Sequence, residues 1–124
     1  MIIAVVGSRS FNDRELAFHV LDKYVGNRGH SIVTGGARGA DALAEEWARN
    51  RGIPVQVLPA EWEKYGRSAG SRRNTEIVRL CQGMIAFWDG KSPGTRDSIR
   101  KAQGQGKKIV VVRITQKDVK PTRL

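Results

Sequence analysis

The stretch from Ser31 to Asp41 reads Ser-Ile-Val-Thr-Gly-Gly-Ala-Arg-Gly-Ala-Asp, and it is the most informative part of the sequence. The apolar pair Ile32-Val33 predicts a short strand, a glycine-rich turn follows it, and residues 40–51 then have helical composition. Glycines let backbone N–H groups approach an anion closely, and a helix start adds unpaired N–H groups with the positive end of the helix dipole. The stretch therefore predicts a strand, a turn and a helix that together form a phosphate site.

Two other glycine turns follow predicted strands in the same way. Val5-Val6-Gly7-Ser8-Arg9 ends the first strand, and the turn Trp-Asp-Gly-Lys-Ser-Pro-Gly-Thr over residues 88–95 follows the fourth. The short Gly7-Ser8-Arg9 turn is equally compatible with a tight strand exit. Three such turns at strand ends nevertheless predict a crevice large enough for a nucleotide.

Apolar strand patterns alternate with helical patterns along the chain. The predicted strands are 1–6, 31–34, 53–58, 84–88 and 108–112, and the predicted helices are one from Asn12-Asp13 to Gly26, then 40–51, 71–80 and 95–105. The segment Pro59–Gly70 is predicted to be a long irregular loop. This alternation predicts one α/β domain over residues 1–113, with a parallel sheet, helices on both faces and a basic tail over 114–124. Ligands of such sheets bind at the carboxyl ends of the strands, where the glycine turns lie.

The 124 residues carry a net charge of +10, and the excess lies in the second half. Residues 1–62 hold 7 Lys/Arg and 7 Asp/Glu, whereas residues 63–124 hold 15 and 5. A basic half predicts an anionic partner such as a nucleotide or a nucleic acid, although a solubilising surface explains it equally well.

The single Cys81 is predicted to be buried, and with no long apolar segment the chain is expected to be cytoplasmic and not to associate with a membrane.

Several side chains near the predicted crevice are candidates for ligand binding. Arg73 and Asn74 open the third long helix, and an arginine presents a rigid fork to phosphate. The Asp41 side chain has three alternative roles: it interacts favourably with the dipole of its helix, it binds a ribose hydroxyl, or it orders a neighbouring loop. Trp62 can stack on a base or cover the core. The two histidines lack metal-ligand spacing, so no metal is predicted.

Taken together, these motifs resemble the YspA-like branch of the SLOG superfamily, which also contains the DNA-processing protein DprA and the lonely guy phosphoribohydrolases. The resemblance covers about residues 1–112. It implies a Rossmann-like fold, the strand order 3-2-1-4-5 and a nucleotide-derived ligand. The ligand-binding residues expected from the motifs and the resemblance are Gly7, Ser8, Arg9, Thr34, Gly35, Gly36, Ala37, Gly39, Asp41, Trp62, Arg73, Asn74, Gly94 and Thr95.

Comparison with the phosphoribohydrolases bears on catalysis. Those enzymes carry a Pro-Gly-Gly-x-Gly-Thr motif with a catalytic Glu three residues after the Thr. Here Gly94-Thr95 match the end of that motif, but Ser98 stands at the Glu position, and Asp97 is one residue too early and points about 100° away on a helix. A hydrolase of this kind would depend on Arg73 for phosphate and on Asp41 or Asp97 as acid or base.

Three functions therefore remain open from the sequence. The leading one is a domain that binds a nucleotide or a derivative resembling ADP-ribose or NAD, as a sensor or as an accessory to another activity. The second is a nucleotide-processing hydrolase, and the third is a single-stranded nucleic-acid-binding module that uses the basic half. No cofactor is indicated beyond the nucleotide-like ligand, and a homo-oligomer stays open because the sequence does not fix the oligomeric state.

Overall fold

The structure of the protein, a computed structural model, describes residues 1–26 and 28–115. Its strands are β1 (Ile2–Gly7), β2 (Ser31–Thr34), β3 (Val55–Val57), β4 (Gly83–Trp88) and β5 (Lys108–Arg113). Its helices are α1 (Arg14–Tyr24), α2 (Ala40–Arg51), α3 (Trp62–Tyr65), α4 (Ala69–Leu80) and α5 (Pro93–Gly104), and a 3-10 turn over Gly66–Ser68 joins α3 to α4.

The five strands form one parallel sheet in the order β3-β2-β1-β4-β5. The predicted α/β class and the order implied by the resemblance are both confirmed. β1 lies in the centre and pairs with β4 from Ile3–Gly83 to Gly7–Phe87. A central strand of a parallel sheet is covered on both faces, which explains why residues 2–6 are apolar without alternation.

Two hydrophobic cores cover the two faces of the sheet. In β1, Ile3 and Val5 pack on the face covered by α1 and α2, together with Trp47 and Phe87. Ala4 and Val6 point to the other face, where Ile77 of α4 and other residues of α4 and α5 cover them. Alternate residues of a strand point to opposite faces, so a single apolar run supplies both cores. The helices therefore lie on both faces, as predicted.

The segment predicted to be an irregular loop, residues 59–70, contains more structure than expected. It includes α3, the 3-10 turn and the first two residues of α4, so the prediction of a loop through Gly70 is wrong. Gly66 and Gly70 made the segment look irregular, but Gly70 is a helical residue of α4. The indole of Trp62 lies near Gly70, where a Cβ would be 3.4 Å from Cη2, an ordinary van der Waals distance.

Smaller boundary differences have local causes. β3 is shorter than predicted because Ile53 donates its N–H to the Ala48 carbonyl and Pro54 has no N–H to donate. α5 begins at Pro93 rather than at residue 95, and proline favours the first position of a helix. Ile114, assigned to the tail from the sequence, is buried and donates to the Trp88 carbonyl at 3.0 Å. The folded unit thus extends past residue 113, and residues 116–124 of the predicted tail lie outside the described residues.

Candidate functional site

The carboxyl ends of β1, β2 and β4 meet at one edge of the sheet and border a cavity of about 830 Å³, here called the main cavity. Of the ligand-binding residues predicted from the sequence, ten line it: Gly7, Ser8, Arg9, Ala37, Gly39, Asp41, Arg73, Asn74, Gly94 and Thr95. The structure thus brings together residues from three glycine turns and from α4. The lining also includes Arg38, Ser92 and Ser98, which the prediction did not include.

A second cavity of about 470 Å³, here called the side cavity, adjoins the main one. It holds three further predicted residues, Gly35, Gly36 and Trp62, and it shares Arg9, Ala37, Arg38 and Arg73 with the main cavity. Thr34 lines neither cavity. It is fully buried and its hydroxyl donates to the Val5 carbonyl at 2.8 Å, so Thr34 ties β2 to β1.

The glycines of the site allow close contacts within the protein itself. A Cβ at Gly7 would come within 2.6 Å of the Ala40 Cβ, and one at Gly39 would collide with the Ser8 carbonyl. Gly39 also has a φ of 79°, a conformation that L side chains rarely adopt. These two residues seat the start of α2 directly against the end of β1. The glycine spacing therefore reflects internal packing as well as any contact with a ligand.

Asp41 orders the glycine turn in which the sequence predicts a phosphate site. The carboxylate is 6% exposed, and its Oδ2 accepts the N–H groups of Gly35 at 3.1 Å and Ala37 at 3.2 Å. Burial raises the pKa of Asp41 from 3.8 to about 6, although the two N–H donors and the charge of Arg73 act in the opposite direction. Of the three alternatives for Asp41, these hydrogen bonds show the ordering of a neighbouring loop.

Arg73 lies between the two cavities and is fixed by the same turn. Its Nη1 donates to the Gly35 carbonyl at 2.6 Å, and its Nε donates to Asn74 Oδ1 at 3.1 Å. Burial lowers the pKa of Arg73, the nearby charge of Arg9 lowers it further, and Asp41 opposes both effects. Gly35 has no room for a Cβ because the guanidinium of Arg73 and the carboxylate of Asp41 both lie against it. The guanidinium is therefore held in place before any ligand enters.

Asn74 connects Arg73 to the start of α5. Its side chain is buried, and Nδ2 donates to the Gly94 carbonyl at 3.3 Å and to Asp97 Oδ2 at 3.1 Å. Lys101 then donates to the same Asp97 oxygen at 2.9 Å and to the carbonyl and hydroxyl of Ser71. These contacts fix α5 relative to α4, and with it the first turn of α5 that lines the main cavity.

The two carboxylates considered as catalytic candidates occupy different environments. Asp97 is not among the residues that line the main cavity, and its Oδ2 accepts from Asn74 and Lys101. Ser98, one residue later, is 2% exposed and does line it. This is the 100° separation that helix geometry predicts. Among the described residues, Asp41 is the one carboxylate in the lining of the main cavity.

Both helices that open onto the main cavity begin without a side-chain cap. Gly39 precedes α2 and Ser92 precedes α5, and neither supplies a side-chain hydrogen bond to its helix. Asp89 instead holds the turn before α5, accepting the N–H groups of Lys91 and Ser92 at 2.8 Å each. Two helix N-termini therefore face a cavity that three arginines line, so the site favours an anion.

Two features are not found among the described residues, a cluster of metal ligands and a membrane-spanning helix. Within residues 1–26 and 28–115, no group of three or more His, Cys, Asp or Glu side chains could hold a metal ion. None of the helices in those ranges is long and apolar enough to span a bilayer.

Comparison with known proteins identifies the family. Residues 1–65 match the family described as YAcAr, the YspA, cpYpsA-related SLOG family. The chain belongs to this family. Gene 61 protein of Mycobacterium phage D29 is 37% identical to this SLOG protein over 116 residues, which cover 87% of this chain and 93% of the phage protein.

A solved structure shares the fold of this SLOG protein. It concerns the single-stranded DNA binding mode of DNA processing protein A from Helicobacter pylori. The TM-score is 0.70 at 19% sequence identity, and the match covers 96% of this chain and 68% of that chain. At this identity the likeness establishes the common α/β architecture of the two proteins.

Proposed function

We propose that this protein binds a nucleotide or a nucleotide derivative in the main cavity, as a sensor or as an accessory to another activity. The observation that carries the proposal is that α2 and α5, which both begin without a side-chain cap, start at one cavity that Arg9, Arg38 and Arg73 also line. Backbone N–H groups at a helix start and an arginine fork are both well suited to phosphate oxygens. A volume of about 830 Å³ lies in the range of small-molecule sites.

The electrostatics of the cavity support an anionic ligand. Three guanidinium groups line the cavity, while its carboxylate, Asp41, is turned toward the amides of its own loop. Ser8, Thr95 and Ser98 add hydroxyl groups to the lining, and these can form hydrogen bonds with the phosphate, ribose or base of a nucleotide. The family match supports a nucleotide-derived ligand, and the single cysteine fits a protein that works in the reducing cytoplasm.

A thermal-shift screen against nucleoside mono- and diphosphates, NAD and ADP-ribose tests this function. We expect at least one of them to raise the melting temperature of the wild-type protein. Chromatography of the same mixtures after incubation then separates a binder from an enzyme, because a binder leaves the nucleotide intact. If no nucleotide raises the melting temperature at millimolar concentration, the proposal is wrong.

A second candidate function is binding of single-stranded nucleic acid. It is favoured by three exposed cations beyond the cavities, Lys64 of α3, Arg67 of the 3-10 turn and Arg72 of α4, which lie near the exposed Trp62 and Tyr65. Exposed aromatic rings next to a basic groove suit stacked bases. The shared fold with DNA processing protein A is consistent with this candidate. Submicromolar binding of an oligonucleotide that weakens steeply with salt would favour it over the small nucleotide.

The hydrolase alternative is less well supported by the geometry. An N-glycosidic hydrolase needs a carboxylate beside the scissile bond to stabilise the developing positive charge. The lining carries Ser98 at the motif position, and the carboxylate of Asp97 is bonded to Asn74 and Lys101. Asp41 does line the cavity, but its Oδ2 is engaged by the N–H groups of Gly35 and Ala37. We therefore expect weak or no release of base from nucleoside monophosphates.

A further inference from the structure

One edge of the sheet, formed by β5, is open. In the described part of the chain no strand pairs with β5 on the side away from β4. Just past the strand, Ile114 donates its N–H to the Trp88 carbonyl of β4 at 3.0 Å. The backbone groups of successive strand residues alternate in direction, so those of Ile109, Val111 and Arg113 point away from the sheet. Such a row of N–H and C=O groups can pair with another strand.

The side chains along this edge are apolar in the middle and basic at both ends. Val111 is 46% exposed, and the strand begins at the exposed Lys108 and ends at the exposed Arg113. A strand rises about 3.3 Å per residue, so the Cα atoms of these two cations lie roughly 16 Å apart. An extended segment of about six residues on this edge would therefore have its two ends beside the two cations.

Further cations gather at the Arg113 end of the strand. The guanidinium carbons of Arg96 and Arg113 lie 5.6 Å and 6.0 Å from the ring centroid of Trp88. Arg100 follows Arg96 on the same flank of α5, and like charges four residues apart destabilise a helix. Four side chains thus make the border of β5 basic and are here called the edge cations: Arg96, Arg100, Lys108 and Arg113.

The protein itself does not neutralise this charge. Among residues 1–26 and 28–115, no edge cation forms an ion pair with a carboxylate. Asp89 follows β4 directly, but its carboxylate accepts backbone N–H groups of its own turn. The open edge therefore suits an occupant that carries negative charge.

A second copy of the chain does not meet that requirement. Antiparallel pairing of two β5 strands in register would place Lys108 opposite Arg113 at both ends, and parallel pairing would place each cation opposite itself. Like charges directly opposite each other destabilise a sheet. The residues after Thr115 have the wrong sign too, since they include three Lys/Arg and one Asp. A nucleic acid has the right sign, but it does not offer the alternating N–H and C=O groups that a strand edge pairs with.

We propose that β5 binds an extended, acidic segment of a partner protein as a sixth strand of the sheet. The backbone of the segment pairs with Ile109, Val111 and Arg113, and an apolar side chain in its middle packs on Val111. Asp or Glu side chains at its two ends lie beside the edge cations. In this mode of recognition the backbone hydrogen bonds supply affinity and the side chains supply specificity. The edge cations line neither cavity, so the interaction does not depend on nucleotide binding.

Fluorescence polarisation with labelled peptides tests the proposal. The probe is acetyl-Asp-Glu-Val-Thr-Val-Thr-Glu-Asp-amide. One control peptide has Lys in place of every Asp and Glu. The other has Pro-Pro in place of the central Thr-Val, which keeps the charge and removes one N–H from each edge of the peptide strand. We expect the probe to bind at least about tenfold more tightly than either control, because each control lacks one of the two interactions.

Amide hydrogen exchange of the ¹⁵N-labelled protein locates the bound strand. Saturating probe should slow the exchange of the amides of Ile109, Val111 and Arg113 by at least about tenfold, because pairing protects them from solvent. The amides of Val110 and Val112 already point toward β4, and their exchange should change little.

Charge reversal tests the edge cations. The double variant Lys108→Glu, Arg113→Glu should bind the acidic probe at least about tenfold more weakly and the Lys peptide more tightly than the wild type does. Both side chains are exposed, and circular dichroism checks that the variant is folded. Arg49→Glu is the control, since Arg49 is an exposed cation of α2, which packs on β1, β2 and β3, and it should leave both affinities within about twofold.

Each contrary result has a definite meaning. If the Pro-Pro peptide binds as tightly as the probe, or if the three amides are not protected, charge alone attracts the peptide and strand pairing is refuted. If (dT)12 displaces the probe and binds more tightly, the surface is one for nucleic acid and the proposal is wrong. Protection of the same amides in the protein alone, together with a dimer in sedimentation, would identify a second copy as the occupant. No binding of the probe at millimolar concentration also refutes the proposal.

Discussion

Replacement of Arg73 by alanine should weaken nucleotide binding by about ten- to a hundredfold. In the folded protein Arg73 Nη1 is anchored at 2.6 Å by the Gly35 carbonyl, and the side chain lines both cavities. A hydrogen bond from a charged group is worth roughly 1.5–3 kcal/mol, and about 1.4 kcal/mol corresponds to a tenfold change in affinity. The anchored guanidinium loses little side-chain entropy on binding, so we place the effect toward the larger value.

The neighbouring residue supplies a matched control. Arg72 carries the same charge on the same helix, but its Nε donates to Ser68 Oγ and its guanidinium lies 4.4 Å from the ring centroid of Tyr65. It lines neither cavity. Arg72→Ala should therefore change the affinity for a small nucleotide by less than twofold, while it removes the same amount of net charge as Arg73→Ala.

Isothermal titration with the most stabilising nucleotide of the thermal-shift screen measures both variants, and circular dichroism confirms that each is folded. Arg73→Lys should fall between the wild type and Arg73→Ala, because lysine keeps the charge and loses the fork. Equal losses in the Arg72 and Arg73 variants would mean that only net charge matters. A folded Arg73→Ala variant with unchanged affinity would refute the assignment of the phosphate site.

Four further predictions concern the pKa of Asp41, the positive φ of Gly39, the first turn of α5 and catalysis. For Asp41, the raised pKa of about 6 means that the folded state holds the proton more tightly than the unfolded state, so this group lowers the free energy of unfolding as the pH rises from about 4 to 6. In urea titrations, the difference in that free energy between wild type and Asp41→Asn should thus fall by up to about 3 kcal/mol between pH 4 and pH 7, and a constant difference would contradict the raised pKa. Gly39→Ala should destabilise the protein by about 2 kcal/mol or more, because Gly39 has a positive φ. Gly94→Ala should keep or raise the melting temperature, because a Cβ at this position meets nothing within 4 Å. It should still weaken nucleotide binding several-fold, because a helical Cβ points toward the helix start and so into the cavity; unchanged binding would remove the first turn of α5 from the site. Chromatography should detect no release of base from nucleoside monophosphates by wild type or by Asp97→Asn, and robust turnover that either Asp41→Asn or Asp97→Asn abolishes would show that the chain is a hydrolase after all.

The fold could be predicted well from the sequence because its strand segments are continuous apolar runs, whereas its helix segments have apolar residues at helical spacing. The apolar runs of β1 and β4 are too short for helices and too continuous for half-exposed strands, so they indicate a parallel sheet covered on both faces. The bounds of α2, Ala40–Arg51, were also predicted correctly, since Gly39 and Gly52 flank a stretch of good helix formers. Local composition determines these elements, and no distant contact overrides it.

The segment after β3 could not be predicted in the same way. α3 has four residues and the 3-10 turn has three, and so short a stretch shows no periodic apolar pattern. The same limit applies to the site. Gly35 and Gly39 look in the sequence like residues that approach a phosphate, and only the structure shows that Arg73, Asp41 and the Ser8 carbonyl occupy the space a Cβ would need.

The network around Asn74 was likewise only partly accessible from the sequence. Asn74 was expected at the site as a ligand-binding residue, but its partners Gly94 and Asp97 lie 20 and 23 residues away. Asp97 and Lys101, four residues apart on α5, form a recognisable helical pair. That the pair also receives a hydrogen bond from α4 depends on how the two helices pack, which sequence spacing does not determine.

An amide NMR titration shows whether nucleotide phosphate binds where α2 and α5 begin. An ¹⁵N-labelled sample is titrated with an equimolar mixture of the four nucleoside 5′-monophosphates and ADP-ribose. We predict that the largest chemical-shift changes fall on the amides of Gly39, Gly94 and Thr95 and on the turn of residues 35–38. Saturating shifts centred instead on the exposed faces of α1 and α2, or no saturating shifts, would show that nucleotide phosphate does not bind at these helix starts.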